Sequence, residues 1–160
     1  MHALYLLSVY LHIFSAIVWI GGMAFLVFVV VPWLRSGNEA VAGKLLRDTG
    51  LRFRSIGWTC FAVLVVTGSF NLWMRGVTLG SFADPAWLAS AFGKTVLAKL
   101  TLFGAVLATS LVHDFVVGPR ATRSLGDPRL RAQASRLGRL NAVFALLILG
   151  AAVMIVRGTP

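Results

Sequence analysis

Residues 5–33 read YLLSVYLHIFSAIVWIGGMAFLVFVVVPW, a stretch without aspartate, glutamate, lysine or arginine. About 20 apolar residues in a helix cross a hydrocarbon core of about 30 Å, so this stretch predicts a membrane span with some tilt. It contains one histidine, His12. Because an ionisable side chain inside a span is costly, we expect His12 to face protein rather than lipid.

Steps of three and four residues place a stripe of mainly polar and small side chains on one face of this predicted helix. The stripe consists of Ser8, His12, Ser15, Trp19 and Gly22. The other faces carry Leu, Ile, Val, Phe and Ala. We therefore expect the stripe to face the neighbouring helices.

The composition is typical of a membrane protein, because 58% of the 160 residues are hydrophobic and only 12% are charged. Soluble domains have about 45–50% apolar and about 25% charged residues. The net charge of +10 lies in the connections between apolar runs and not on one basic face, so we expect no nucleic-acid partner. Cys60 is the only cysteine, which excludes an intrachain disulfide and a cysteine-pair metal motif.

Four apolar runs, at roughly 4–33, 56–74, 95–117 and 140–156, have the length of spanning helices. Small residues within them allow close approach of neighbouring helices and also permit a homo-oligomer. The sequence therefore predicts an all-α fold, a single transmembrane domain over 1–160. Its expected architecture is an antiparallel four-helix bundle with short amphipathic connecting helices in the lipid bilayer.

Each connection contains a signal for a helix. In the first, Asn38 is placed to cap an amphipathic helix that continues through Phe53 into the second span. In the second, Asp84-Pro85 precedes an amphipathic segment, 87–92, that predicts a short interfacial helix. In the third, Asp127-Pro128 is placed to start a helix.

Basic residues predict the orientation, since cytoplasmic connections carry an excess of lysine and arginine. The first and third connections hold Arg35, Lys44, Arg47, Arg52, Arg54, Arg120, Arg123, Arg129, Arg131, Arg136 and Arg139, whereas the opposite side holds Arg75, Lys94 and Arg157. We expect the basic connections in the cytoplasm and both termini outside. The N-terminus lacks a signal-peptide pattern, so we expect the first helix to remain in the mature protein.

A short internal repeat has an offset of 87 residues. It carries Phe-Val-Val-Val-Pro at 28–32 onto Phe-Val-Val-Gly-Pro at 115–119, and it carries His12 onto Lys99. The first and third spans are expected to run in the same direction. His12 and Lys99 are therefore expected at similar depth, in the outer third of the membrane.

Three intramembrane residues are candidates for cofactor binding. His12 is either a core histidine bonded to Ser8, Ser15 or a carbonyl, a ligand of a metal or haem iron, or a proton relay. Lys99 either extends to the outer interface or serves as a neutral donor or proton carrier. Asn71, late in the second span, is placed to hydrogen-bond either of them.

A set of nitrogen and sulphur donors on the outer side suggests copper. The terminal amine, a backbone amide and the imidazole of His2 could together bind Cu(II), and soft thioethers with imidazole suit Cu(I). The metal-ligand candidates are His12, His2, Met74 and Met154. The alternative is that His2 is an ordinary terminal residue and that the methionines fill space.

His113 and Asp114 lie deeper, near the cytoplasmic end of the third span. We expect them to form a structural clamp with Arg54, Arg139 or Asn141. Nothing in the sequence resembles a phosphate loop, a catalytic triad or a carboxylate pair, so no catalytic residue is predicted.

Several motifs resemble the copper resistance protein D family. They are Leu11-His12-Ile13-Phe14, Trp19-Ile20-Gly21-Gly22, Arg52-Phe53-Arg54 before Gly57-Trp58, Thr67-Gly68, Lys99-Leu100 and the segment 112–120. The resemblance implies a bacterial inner-membrane protein of copper tolerance or uptake, which can work with a periplasmic copper-binding protein. Fuller members of the family have more helices than this chain.

The chain also resembles the four-helix membrane family that oxidises protoporphyrinogen and holds haem b. That resemblance implies His12 as the iron ligand and Lys99 as its functional partner. Three hypotheses result: a copper-handling membrane protein, a haem-b redox protein or oxidase, and a structural or assembly subunit.

Overall fold

The computed structural model describes residues 1–36, 39–123 and 127–157, and these residues are almost entirely helical. The α-helices are α1 (His2–Phe25), α2 (Val31–Arg35), α3 (Glu39–Met74), α4 (Pro85–Ala89), α5 (Ala91–Leu111), α6 (Gly118–Arg123) and α7 (Pro128–Arg157). A 3₁₀-helix covers Leu79–Ala83, and two π-helical turns cover Leu26–Val30 and Val112–Val117.

Four stretches are long and apolar enough to cross a membrane: His2–Trp33, Asp48–Met74, Ala91–Ala121 and Pro128–Arg157. No strand occurs in the part of the chain that the structure describes. The predicted all-α class with four membrane-length helices is therefore confirmed. The chain divides into two compact units, residues 1–78 and 79–160.

In the first unit, α1 and α3 pack against each other as an antiparallel hairpin. The predicted stripe of α1 faces α3, and Ser8, Ser15 and Trp19 are buried there. The Trp19 ring meets the edge of Phe61, with ring centroids 5.1 Å apart. The periodicity of the sequence thus predicted the packed face of α1 correctly.

Helix α3 has 36 residues and is therefore about 54 Å long, well beyond the thickness of the hydrocarbon core. The predicted amphipathic helix of the first connection is continuous with the second span. Its expected cap, Asn38, lies outside the described residues.

In the second unit, α5 and α7 pack against each other. Asp127 begins α7 as predicted, because its Oδ1 accepts a hydrogen bond from the backbone N–H of Arg129 at 2.8 Å. The predicted interfacial helix is shorter than expected and ends at Ala89. Ser90 then caps α5 by accepting from the N–H of Gly93 at 3.0 Å, so the third span begins before residue 95.

The two π-helical turns have matching hydrogen bonds. The N–H of Val31 donates to the carbonyl of Leu26, and the N–H of Gly118 donates to the carbonyl of His113. A proline, Pro32 or Pro119, comes after each turn at the same distance. Its missing N–H interrupts the α-helical hydrogen bonding at this place. The offset of 87 residues relates both turns, as it relates the two Pro-containing motifs.

Candidate functional site

His12 is half-buried on α1 and is hydrogen-bonded to α3. Its Nδ1 lies 2.8 Å from the hydroxyl oxygen of Thr67. That hydroxyl lies 2.6 Å from the carbonyl of Val63 and donates its single hydrogen there. Thr67 therefore accepts from His12, whose Nδ1 carries the proton. The tautomer places the ring's lone pair on Nε2, the nitrogen through which such an imidazole binds a metal.

Two adjacent residues of α3 accommodate the His12 imidazole: Thr67 supplies the hydrogen-bond acceptor and Gly68 supplies the space. A threonine in a helix can donate to the carbonyl four residues earlier, which directs its oxygen lone pairs away from its own backbone. Gly68 has no side chain, and a Cβ placed there would lie 3.2 Å from His12 Cε1. The small residue thus leaves the space that the imidazole occupies between the two helices.

Ser8 adds a second polar contact between α1 and α3, one turn from His12. Its hydroxyl donates to the carbonyl of Thr67 at 3.4 Å, and both side chains are buried. Polar groups within a membrane hairpin need such partners because lipid supplies none. His12 therefore bonds to a threonine on α3, which was not among the partners expected for it: Ser8, Ser15, a carbonyl or Asn71.

Asn71 lies one turn beyond Thr67 on α3, and its Oδ1 is buried without a hydrogen-bond partner among the described residues. The hydrogen bond expected between Asn71 and His12 does not occur among the described contacts of Asn71. A buried acceptor without a partner costs about 1–3 kcal/mol. A donor or a cation from outside the described residues would remove this cost, so the position suits a ligand or a bound water.

The other candidates of the first unit, His2 and Met74, lie at a different level of the hairpin from His12. His2 is exposed and lies ten residues before His12 on α1, which is about 15 Å along the helix axis. Met74 ends α3. Because Ser8 is paired with Thr67 and the helices are antiparallel, His2 and Met74 lie at the same end of the first unit.

Two further candidates belong to the second unit. Lys99 is half-buried on α5, and Met154 is exposed on α7. Within the described ranges, no group of three or more His, Cys, Asp or Glu side chains could hold a metal ion.

The second unit contains a separate row of polar side chains. Asn141 Nδ2 donates to Ser110 Oγ at 2.9 Å, and the Thr109 hydroxyl donates to Asn141 Oδ1. His113 Nδ1 lies 2.8 Å from Asp114 Oδ1. The clamp expected between the His113–Asp114 pair and Arg54, Arg139 or Asn141 stays a prediction. Asn141 already has partners one turn away on α5.

The sequence analysis did not predict Thr67 as the partner of His12. The signal was present as the adjacent pair Thr67-Gly68, which supplies a hydroxyl and an empty space at one level of the helix. Only the register of the two helices could show that His12 reaches this level, because the apolar pattern does not fix an axial offset.

Comparison with known proteins gives two matches. The family model described as "Copper resistance protein D" matches residues 47–155. An uncharacterized protein of Aquifex aeolicus (strain VF5) is 30% identical over 153 residues, which cover 95% of each chain. No solved structure matches the chain.

Proposed function

Because the chain belongs to the copper resistance protein D family, we propose that this multi-pass membrane protein handles copper in a bacterial inner membrane. The proposed role is copper tolerance or copper uptake, with copper as the substrate that is bound and passed on. The proposed orientation places the basic connections in the cytoplasm and both termini in the periplasm. A periplasmic copper-binding protein is the proposed exchange partner.

The arrangement of His12 supports this proposal more than any other observation. Its Nδ1 is bound to Thr67, so the ring is held in one orientation and its lone pair lies on Nε2. Ligating histidines typically have their other ring nitrogen fixed in this way by an oxygen acceptor. Imidazole is a suitable ligand for copper, and an intramembrane ionisable residue is a functional candidate by default.

The proposed ligands of the first unit occupy two levels of its hairpin. His2 and Met74 form the end position, where the exposed imidazole would meet copper first. His12 forms the inner position, and Oδ1 of Asn71, which has no hydrogen-bond partner among the described residues, lies one turn beyond Thr67 on α3. Thioether and imidazole together favour Cu(I). In the second unit, Met154 is proposed as a soft copper donor and Lys99 as a polar residue on the copper path.

The experiment is metal analysis and an absorbance spectrum of the natively purified protein after detergent exchange. The wild type should retain copper and show no Soret band, and His12→Ala should lose copper from the inner position. Ser15→Ala, on the same buried face of α1, should retain copper as the wild type does. His2→Ala should affect only the end position.

The other two hypotheses predict different results. A Soret band that His12→Ala abolishes would show a haem protein and would overturn the copper proposal. Absence of both copper and haem, together with co-purification of a larger complex, would show an assembly subunit. His12→Ala should still fold, since its cavity costs about 1–3 kcal/mol, and gel filtration in detergent checks this.

A further inference from the structure

The face of α7 that lies opposite to α5 is apolar and exposed. Asn141 and Ala145 are buried where α7 packs against α5. Steps of three, four and seven residues place Leu140, Val143 and Leu147 together on the other side of the helix, and all three side chains are exposed. In a bilayer, such a face suits lipid acyl chains, which are as apolar as leucine.

Two exposed arginines continue this face towards the basic connection. Arg136 lies four residues before Leu140 and seven before Val143, and Arg139 lies one turn after Arg136. Leu140 is the first large apolar residue of α7 that is exposed, and Arg136 lies about 6 Å before it along the axis. With Leu140 at the edge of the hydrocarbon core, both arginines lie within the headgroup region, which is roughly 5–8 Å thick on each side.

The charges on this part of α7 are all positive. The helix contains arginines but no aspartate or glutamate. Arg136 and Arg139 are three residues apart and are therefore neighbours on the helix surface, where like charges repel each other. Arg139 comes two residues before the buried Asn141, so the two lie on nearly opposite sides of the helix. An anion on the exposed side would remove the repulsion between the two guanidinium groups.

We propose that Arg136 and Arg139 bind the phosphate of an anionic phospholipid whose acyl chains lie along Leu140 and Val143. A guanidinium donates two parallel hydrogen bonds to phosphate oxygens. A phospholipid matches the charged and the apolar part of this face with one molecule, whereas a soluble acidic partner would match the arginines alone. The proposal assigns Arg139 to the lipid and not to the clamp expected with Asp114. It is independent of the proposed copper function.

Arg52 on α3 provides a matched control. It is exposed, and an exposed apolar residue, Ile56, follows it four residues later. No second arginine or lysine lies three or four residues from Arg52, and Asp48 lies four residues before it. An acidic residue at this spacing attracts the guanidinium and repels an anion. We therefore expect Arg52→Gln, which removes the same charge as Arg136→Gln, to leave lipid binding unchanged.

The test is native mass spectrometry of the full-length protein in detergent, titrated with phosphatidylglycerol, which is anionic, or with phosphatidylcholine, which is zwitterionic. The spectra resolve the protein with one bound lipid and give its dissociation constant. The wild type should bind phosphatidylglycerol more tightly than phosphatidylcholine. Arg136→Gln and Arg139→Gln should each weaken the binding of phosphatidylglycerol about fivefold, the contribution of one arginine near an anionic membrane surface. Binding of phosphatidylcholine should not change.

Three results would overturn the proposal. Equal affinity of the wild type for both lipids would show that the headgroup charge is not recognised. Equal weakening by Arg52→Gln and Arg136→Gln would show that only the total charge matters. Displacement of phosphatidylglycerol by an excess of inorganic phosphate would show a free-anion site, since phosphate has no acyl chains. Gel filtration in detergent checks that each variant is folded, and Arg139→Gln carries the same test if Arg136→Gln does not fold.

Discussion

The Thr67 hydroxyl forms hydrogen bonds with both the carbonyl of Val63 and Nδ1 of His12, and these bonds determine the orientation and the tautomer of the His12 ring. Its hydroxyl hydrogen points to Val63, and its lone pair receives Nδ1–H of His12. In an apolar span, no water competes for these positions, so each bond has a defined donor and acceptor. The chemical identity of residue 67 therefore fixes the tautomer of a residue on the other helix.

Thr67→Val keeps the shape of the side chain and removes its oxygen. Because nothing then fixes Nδ1, we expect copper affinity at the His12 position to fall about 10–100-fold. Thr59→Val is the matched control, since Thr59 also donates to the carbonyl four residues earlier but is exposed. Chelator competition measures both variants, and equal effects of the two would contradict the role of Thr67.

Gly68→Ala tests the space that α3 leaves for the imidazole. The new Cβ would lie 3.2 Å from His12 Cε1, so the ring must move by a few tenths of an ångström. We expect copper binding to weaken roughly tenfold, since ligating groups must be held within about 0.5 Å. Gly50→Ala, in the same helix with open space around it, should bind copper as the wild type does.

The packing of α1 against α3 depends on close contact near the basic end of the first unit. A Cβ at Gly22 would overlap the Phe53 ring, whereas a Cβ at Gly21 would meet nothing. The two adjacent glycines thus differ only in the face of α1 on which they lie. Residue size matters on one face and not on the other.

We expect Gly22→Ala to lower the free energy of unfolding by about 1–3 kcal/mol, because overpacking forces the aromatic ring or the helix to shift. Gly21→Ala should leave it unchanged or raise it by up to about 1 kcal/mol, since alanine favours the helix. Thermal unfolding in detergent compares them. Equal destabilisation by both substitutions would show that Phe53 does not pack against Gly22.

The helices and their packed faces were predictable from the sequence, while the π-helical turns were not. A periodicity of 3–4 residues placed Ser8 and Trp19 correctly, and Asp127-Pro128 marked the start of α7. A π-turn differs from an α-helix by one residue in one turn, and an apolar run such as Leu26–Val30 has no polar side chain to reveal the change. The position of His113 in such a turn was therefore not predictable.

At the scale of the whole molecule, the charge distribution governs insertion into the membrane. The first and third connections carry most of the basic residues, and the helical extensions Glu39–Arg54 and Pro128–Arg139 contain many of them. Basic residues close to the ends of spans remain on the cytoplasmic side. The proposed orientation rests on this distribution, which the sequence alone displays.

Cysteine labelling tests the orientation. In a Cys60→Ala background, which has no other cysteine, we introduce Ser36→Cys in the first connection or Gly80→Cys in the second. Both positions are exposed. A membrane-impermeant maleimide should label Gly80→Cys in intact spheroplasts and Ser36→Cys only after permeabilisation. The reverse pattern would place the basic connections outside.

The candidate site was only partly predictable, because the packing of whole helices decides which side chains come into contact. The sequence identified His12 as an inward-facing residue. Four ligand candidates that are predicted on one side of a membrane do not, however, have to lie within reach of one metal ion. His2 and His12 share one straight helix, so their axial separation is fixed by the helix rise. The partner that does meet His12 is a hydroxyl, which composition and metal-ligand chemistry do not single out.

The π-helical turn at Leu26–Val30 also determines in which direction around the helix axis the side chains of α1 point. One residue more or less in a helix rotates the part before the change by about 100° around the axis relative to the part after it. A polypeptide shortened by a single residue there would keep its apolar character and nearly all of its length. It would nevertheless turn His12 away from Thr67 and towards the acyl chains.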